Sequence, residues 1–270
     1  MFKNIVYGVF ISNIYFSRKI NGEKNKIILS VIITIANISI FIGYSRIQIV
    51  INVLTSYIIL RNFYGKKMFK YLVIILIFTS IILVGITYER NHVFISQGQN
   101  IYIDILDNLQ MYFGGVYNVS IATRVKKLFL GKYNIFYDTF RPVIGIGQIL
   151  KKYEIEHINY YFNDALRPNK GLVSQIIPMV GQSYSYFGIF GSSILSVLNI
   201  YIGYMMTKKY IETRSVEKKI LFLMFIIRLS YFMGQNTMNL SGFIISNYIL
   251  FLIFYIGNSL MNRLLNIKRE

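Results

Sequence analysis

The sequence has no cysteine and only two histidines, His92 and His157. Without cysteine, the chain has neither disulfide bonds nor thiol chemistry. No Cys, His and Asp residues occur together at the spacing of metal ligands, so we expect no metal centre and no cofactor. Repeats and low-complexity segments are also missing. Residues 4–17 lead into basic residues and not into a small-residue cleavage site, so we expect no cleavable signal peptide.

Acidic residues are scarce: 11 Asp and Glu stand against 29 Lys and Arg, which gives a net charge of +18. In a soluble protein that excess would indicate nucleic acid binding. However, 54% of the 270 residues are hydrophobic, more than a soluble domain of this length can bury. Several uncharged runs approach the roughly 20 apolar residues that cross a bilayer. The composition therefore predicts an all-α, polytopic transmembrane helical bundle.

The apolar runs predict about six to seven membrane-spanning helices. Clean runs cover residues 27–45, 71–88, about 184–206, about 220–235 and about 242–258, and shorter runs cover 4–17 and 47–60. A short run can still cross when flanking basic side chains extend to the interface. We treat residues 1–270 as a single integral membrane domain.

Basic residues form four clusters that fall on alternate connections between these runs. Positive charge marks the cytoplasmic side of a membrane protein, so all four clusters can be cytoplasmic at once. This placement explains the net charge without nucleic acid. The clusters are Arg18, Lys19, Lys24 and Lys26; Arg61, Lys66, Lys67 and Lys70; Lys208, Lys209, Arg214, Lys218 and Lys219; and Arg263, Lys268 and Arg269.

The same topology places residues 89–180 outside the cytoplasmic membrane. Connections of this length are usually functional. The segment is rich in Tyr, Phe and Ile, which predicts short amphipathic helices on the membrane surface, with breaks at Gly114-Gly115 and Arg141-Pro142. It also holds seven of the 11 acidic residues: Glu89, Asp104, Asp107, Asp138, Glu154, Glu156 and Asp164.

Arg141 and Arg167 both precede proline in this loop. Proline restricts the preceding residue to extended conformations, which limits the direction of its side chain. A guanidinium binds phosphate through a planar fork, so the pair is a candidate site for a phosphate-bearing substrate. The alternative for each is a solvated loop arginine.

Two further arginines are candidates because of where they fall relative to the spans. Arg228 lies inside the run at 220–235, where charged residues usually face a bundle interior or a cavity. Its alternative is a structural arginine bonded to carbonyl oxygens or to a loop carboxylate. Arg46 follows the run at 27–45 on the outer side and is otherwise a plain interfacial anchor.

His157 and Asp164 are the candidate catalytic bases, because an attacking hydroxyl must lose a proton to a carboxylate or an imidazole. The alternative for both is an ordinary position in a surface loop, which the unspecific spacing favours. Gln182 and Tyr184 lie at the outer mouth of the run at 184–206. They are placed either to hydrogen-bond a sugar or to form part of an aromatic belt. Gly188 and Gly191 are three residues apart, which predicts a shared helix face for close packing.

Three motifs resemble the bacterial O-antigen and capsule repeat-unit polymerase (Wzy-type) family. One is the span end Gly-Tyr-Ser-Arg at residues 43–46. The second is the large outer loop with its Arg-Pro elements. The third is Pro-x-x-Gly-x-x-Tyr-x-x-Phe-Gly-x-x-Gly from Pro178 to Gly191. The resemblance covers about residues 27–260. Family members are usually longer and have more spans, so this chain resembles their C-terminal part, truncated at the N-terminus.

The resemblance implies a metal-independent glycosyltransferase of the bacterial cytoplasmic membrane. It would join undecaprenyl-pyrophosphate-linked oligosaccharide repeat units, with a chain-length regulator and a flippase as partners. Arg141 and Arg167 would grip the pyrophosphate, and Arg46 and Arg228 would assist. Gln182-Ser183 stand where the related O-antigen ligases have a loop histidine, which argues against a ligase.

Two other classes remain open. A flippase or transporter for lipid-linked sugars would also place arginines near lipid phosphate, although such proteins more usually have repeated halves and short loops. A non-catalytic membrane assembly subunit is the other alternative.

Overall fold

The chain folds into helices joined by turns. The computed structural model describes residues 2–40, 46–96, 115–128, 135–143, 145–153, 155–166, 175–231, 234–249 and 256. Helix accounts for 84% of that described part, and no strand occurs in it. The all-α class predicted from the sequence is therefore confirmed.

Two compact units divide the chain. The N-terminal unit comprises residues 2–108 and 203–228, and the loop unit comprises residues 109–202 and 229–270. The sequence-based prediction of a single integral membrane domain stays a prediction.

The N-terminal unit contains α1 (Phe2–Phe16), α2 (Glu23–Ser39), α3 (Arg46–Tyr64) and α4 (Phe69–Ser96). A 3₁₀ turn at Gly65–Met68 joins α3 to α4. Among these helices, α2 contacts α1, α3 and α4. The run predicted at 27–45 thus falls on α2 as far as Ser39, and residues 41–45 lie outside the described residues.

Buried polar side chains link the helices of this unit. Ser30, Thr34 and Asn37 share one face of α2 and are buried. The Thr34 and Tyr7 hydroxyls are 3.0 Å apart, as are those of Ser30 and Tyr64. Hydrogen bonds of this kind join helices where apolar packing alone gives little preference for one partner.

The stretch Ile47–Glu89 is the one helical segment within the described residues that is long and apolar enough to cross a membrane. It is 43 residues long, and the turn at Gly65–Met68 divides it. Gly65 has a φ of +63°, a conformation that glycine adopts without strain. A shorter apolar helix covers Val6–Phe16.

Short helices make up the first part of the loop unit: α5 (Gly115–Leu128), α6 (Ile135–Phe140), α7 (Ile146–Lys152) and α8 (Ile158–Leu166). A turn at Arg141-Pro142 separates α6 from α7, as the sequence predicted. The predicted break at Gly114-Gly115 lies at the edge of the described residues, since α5 begins at Gly115.

The later helices are α9 (Met179–Phe187), α10 (Ile194–Glu212), α11 (Val216–Ser230) and α12 (Thr237–Ile244). A π-helical turn at Ile245–Ile249 follows α12. The runs predicted at 220–235 and 242–258 fall on α11 and on the end of α12. Most of residues 250–258 lie outside the described residues.

The prediction of one continuous helix over 184–206 is wrong. The helix breaks at Gly188, whose φ of +77° and ψ of −166° lie in a region that L side chains rarely adopt. Gly191 is in the turn that follows, so Gly188 and Gly191 do not share a helix face. The apolar pattern continues through the break, and for that reason hydropathy alone does not reveal it.

The core of the loop unit forms where α5 packs against α8 and α9. α9 approaches α5 closely at Gly181, because a Cβ there would lie 2.4 Å from the Cβ of Ala122 on α5. Only glycine fits at that distance without displacing a helix. The buried apolar residues of this core are Ile121, Ala122, Val125, Ile158, Phe162 and Ile177.

We expect Gly181→Ala to destabilise the protein by about 1–3 kcal/mol, the usual cost of an extra methyl group in a packed core. The free energy of unfolding of the purified protein in detergent measures this. Ala122→Gly in the same chain removes the clashing methyl group and should restore most of the loss. A double variant no more stable than Gly181→Ala would show that the α5–α9 contact is not the cause.

Candidate active site

Four side chains that can carry charge or exchange protons come together in the loop unit. Asp138 lies on α6, Arg141 in the turn that follows, His157 just before α8, and Tyr186 on α9. The Tyr186 hydroxyl donates to Oδ2 of Asp138 at 2.6 Å, and the Ile158 amide donates to Oδ1 at 3.2 Å. Sequence analysis had singled out Arg141 and His157, and the fold adds Asp138 and Tyr186.

Asp138 holds the beginning of α8. The first amides of a helix have no partner within the helix, and a carboxylate stabilises that positive end. Ile158 is the first residue of α8, so its bond to Oδ1 supplies one missing acceptor. Asp138 is only 2% exposed, and both its oxygens accept hydrogen bonds. Its carboxyl group therefore orders the site and is poorly placed to meet a substrate.

Burial raises the pKa of the Asp138 carboxyl group above its usual range. The bonds from Tyr186 and Ile158, and the nearby His157 and Arg141, oppose that shift. The cluster thus favours the ionised form of a carboxyl group whose burial disfavours it.

We expect this buried carboxyl group to make stability depend on pH. Because its pKa is higher in the folded than in the unfolded chain, its contribution to stability is lost as pH rises through the folded pKa. Asp138→Asn keeps the shape without the charge, so wild type should lose stability relative to this variant as the pH rises above about 4, the usual pKa of an aspartate. Thermal unfolding measures the difference, with the exposed Asp164→Asn as control. Parallel pH curves for wild type and Asp138→Asn would contradict the prediction.

His157 is half-buried immediately before α8. Its Nδ1 accepts the Tyr160 amide at 3.2 Å, so the neutral ring carries its proton on Nε2. Burial lowers the pKa of His157, and the Arg141 guanidinium lowers it further. The imidazole is therefore neutral near pH 7 and presents Nε2–H as a hydrogen-bond donor.

Arg141 has a largely uncommitted guanidinium group. One nitrogen, Nη2, donates to the Ile155 carbonyl. Nε is buried and has no hydrogen-bond partner among the described residues. In that part of the chain the ion pairs are Lys67–Glu23 and Lys208–Glu212, and no carboxylate pairs with Arg141. A guanidinium held this way can bind a further anion.

Two glycines place Arg141 against α7. Gly145 precedes the helix with a φ of +89°. A Cβ on Gly147 would lie 2.7 Å from the Arg141 carbonyl oxygen, so only glycine allows the helix to approach the turn so closely. The Gly-Ile-Gly sequence at 145–147 thus has a packing role.

The cluster does not include the predicted residues Asp164, Gln182 and Tyr184. Asp164 is exposed on α8, two turns after His157. Gln182 is fully buried, and both ends of its amide bind Thr237: Nε2 donates to the hydroxyl at 2.8 Å and Oε1 accepts the backbone amide at 2.9 Å. Tyr184 is half-buried on α9. The structure thus gives Gln182 a structural bond that the sequence did not suggest.

Arg228 is buried in the last turn of α11, at 7% exposure. Arg46 is the first residue of α3. Arg167 lies outside the described residues, so the predicted pairing of Arg141 with Arg167 stays a prediction. Within the described part of the chain, no group of His, Asp and Glu could hold a metal ion.

Asp138 could have been noticed in the sequence, because it lies three residues before Arg141 in a segment predicted to be helical. One turn of helix separates such residues, which brings their side chains to one face. The sequence does not show that Asp138 is buried or that Tyr186 reaches it, since 48 positions separate the two residues.

Buried amide side chains support the site from behind. Asn159 Oδ1 accepts the Ile177 amide at 3.0 Å and the Asn236 side chain at 2.7 Å. Asn163 exchanges two hydrogen bonds with the backbone of Gln175, at 2.7 and 2.9 Å. These bonds attach α8, which begins beside His157, to residues 175–177 before α9 and to the start of α12.

No family model, curated protein or solved structure matches the chain. The resemblance to repeat-unit polymerases therefore rests on the sequence motifs.

Proposed function

We propose that this chain is a polytopic protein of the bacterial cytoplasmic membrane. On this proposal it joins undecaprenyl-pyrophosphate-linked oligosaccharides into a surface polysaccharide, on the outer side of the membrane. The observation that carries the proposal is Arg141, which has no paired carboxylate among the described residues and lies beside a neutral His157. The long apolar segment Ile47–Glu89 and the placement of basic residues support the membrane topology.

In the proposed reaction, a hydroxyl of one lipid-linked oligosaccharide attacks C1 of the sugar on another. The new bond forms between that oxygen and C1. The bond from C1 to the pyrophosphate oxygen breaks, and its electron pair leaves with undecaprenyl pyrophosphate. Because pyrophosphate is already a good leaving group, the protein mainly positions the two substrates and neutralises charge.

Arg141 would bind the pyrophosphate through its guanidinium fork and stabilise the charge that develops on departure. His157 would donate from Nε2 to a phosphate oxygen, because its Nδ1 is occupied by the Tyr160 amide. Arg167 is an assisting cation in this proposal, and the roles that the resemblance implies for Arg46 and Arg228 stay predictions.

The attacking hydroxyl must give its proton to a base, and we assign this role to Asp164 in preference to His157. Asp164 is exposed and lies seven residues along α8 from His157. Seven helical residues span about 10 Å. That separation leaves room for the sugar C1 and the attacking oxygen between the phosphate-binding group and the base.

The test is a polymerisation assay in a bacterial strain that lacks its own polymerase. We expect the chain to fractionate with the membrane and to produce a ladder of glycan lengths. A ladder would support the polymerase over a flippase or an assembly subunit. A flippase would instead deliver single repeat units to the outer face without a ladder. No ladder, with single units still reaching the outer face by the host's flippase, would overturn the proposal for this chain.

A further inference from the structure

A second basic site lies in the N-terminal unit, whereas the cluster around Arg141 belongs to the loop unit. A cleft of about 260 Å³ is lined by Glu23, Lys24, Ile27, Lys67, Lys70 and Tyr71. Its size is close to the ~300 Å³ at which small-molecule sites begin, which suits a ligand the size of a lipid headgroup. We call it the lysine cleft.

Three lysines and one glutamate give the lysine cleft a net charge of +2. Lys67 pairs with Glu23, and that pair is exposed. Lys24 and Lys70 are exposed and have no paired carboxylate in the described part of the chain. Lys24 and Lys70 can therefore both bind an anion in the cleft.

The fold assembles this charge from two separate connections. Lys24 lies in the first turn of α2, whereas Lys67 lies in the turn between α3 and α4 and Lys70 in the first turn of α4. The tendency of basic residues to lie on the cytoplasmic side depends only on which connection carries the charge. It does not require that lysines of different connections meet at one place. Convergence on a concave site is an additional property.

The two remaining lining residues are apolar or aromatic. Ile27 is 4% exposed and Tyr71 is half-buried in the first turn of α4. This helix belongs to the stretch that is long and apolar enough to cross a membrane. A phosphate bound by the lysines would have an apolar helix immediately beside it.

We propose that the lysine cleft binds a phosphate group, with Lys24 and Lys70 as the main contacts and Lys67 as the third. The group is the phosphodiester of an anionic phospholipid or the phosphate of a soluble compound. Glu23 competes with this anion for Lys67 and so limits the affinity. The proposal concerns a site separate from the glycosyl-transfer reaction and does not depend on it.

The test measures phosphatidylglycerol and phosphatidylcholine binding to the full chain in neutral detergent by native mass spectrometry. We expect tight binding of phosphatidylglycerol alone. The double variant Lys24→Gln, Lys70→Gln should bind it at least about tenfold more weakly, from about fivefold per lysine near a lipid headgroup. The control Lys208→Gln, Lys209→Gln removes the same charge from an exposed helix end outside the cleft and should lose less affinity than the cleft variant.

A third variant reverses the sign of the effect. Glu23→Gln removes the competing carboxylate and should strengthen phosphatidylglycerol binding several-fold, a gain that misfolding would not produce. Glycerol phosphate at millimolar concentration distinguishes the sources. Displacement of the lipid would assign the site to soluble phosphates, and no displacement would assign it to the phospholipid. Equal losses in the cleft and control variants, with no gain from Glu23→Gln, would overturn the proposal.

Discussion

Arg141→Ala is expected to remove the glycan ladder, with a loss of polymerisation of at least about 100-fold. A guanidinium fixed beside the leaving group replaces the water that would otherwise neutralise the charge on pyrophosphate. Its removal therefore slows the reaction by about this factor. Arg141→Lys keeps the charge without the fork and should lose less than alanine. Ladder intensity at matched membrane expression measures all three proteins.

A second arginine in the loop unit provides the control. Arg124 is exposed on α5, so Arg124→Ala removes the same charge from the same unit without touching the cluster. Arg141 also donates to the Ile155 carbonyl, so unfolding temperatures are compared to separate loss of fold from loss of activity. A full ladder from Arg141→Ala would exclude this residue from pyrophosphate binding and leave the enzyme proposal to other arginines.

Asn159→Ala is expected to give the largest loss of stability, about 2–6 kcal/mol. The side chain is 4% exposed, and its oxygen accepts from both Ile177 and Asn236. Alanine leaves two buried donors without acceptors, at about 1–3 kcal/mol each. The free energy of unfolding in detergent measures the loss. The control Asn25→Ala removes an exposed amide that bonds only to the Asn21 carbonyl and should change stability by less than about 0.5 kcal/mol.

A double variant tests whether the Asn159–Asn236 bond is the cause. Asn236→Ala removes one donor to Asn159 and also the bond that caps α12, from the Asn239 amide to Asn236 Oδ1 at 3.0 Å. Because both single variants break the same bond, the double variant should cost less than their sum. Additive losses would show that Asn159 acts through Ile177 alone.

Hydropathy predicted the helical class and the approximate positions of the longer apolar helices other than α10, because each is a local property of the chain. The runs at 71–88 and 220–235 fall on α4 and α11, and the turn at Arg141-Pro142 breaks the loop as expected. The continuous helix at 184–206 was wrong because the break depends on the backbone conformation of Gly188 and not on hydropathy.

The sequence could identify Arg141 and His157 as candidates because cations and bases have recognisable residue types. It could not show that Tyr186 binds Asp138, because that contact depends on the packing of α6 near α9. Likewise, the sequence placed Gln182 where it could hydrogen-bond a sugar. In the structure Gln182 is buried and binds Thr237, because α9 packs against the start of α12.

The sequence by itself determined the helical class, the abundance of basic charge and the absence of thiol chemistry, and it offered the arginines that are candidates for phosphate binding. These follow from composition and from patterns over a few residues. The tertiary structure decided which charges have partners. It buried Asp138 beside Arg141, and it brought Lys24, Lys67 and Lys70 to one cleft. Burial and the pairing of distant side chains depend on contacts between separate helices, which no local pattern contains.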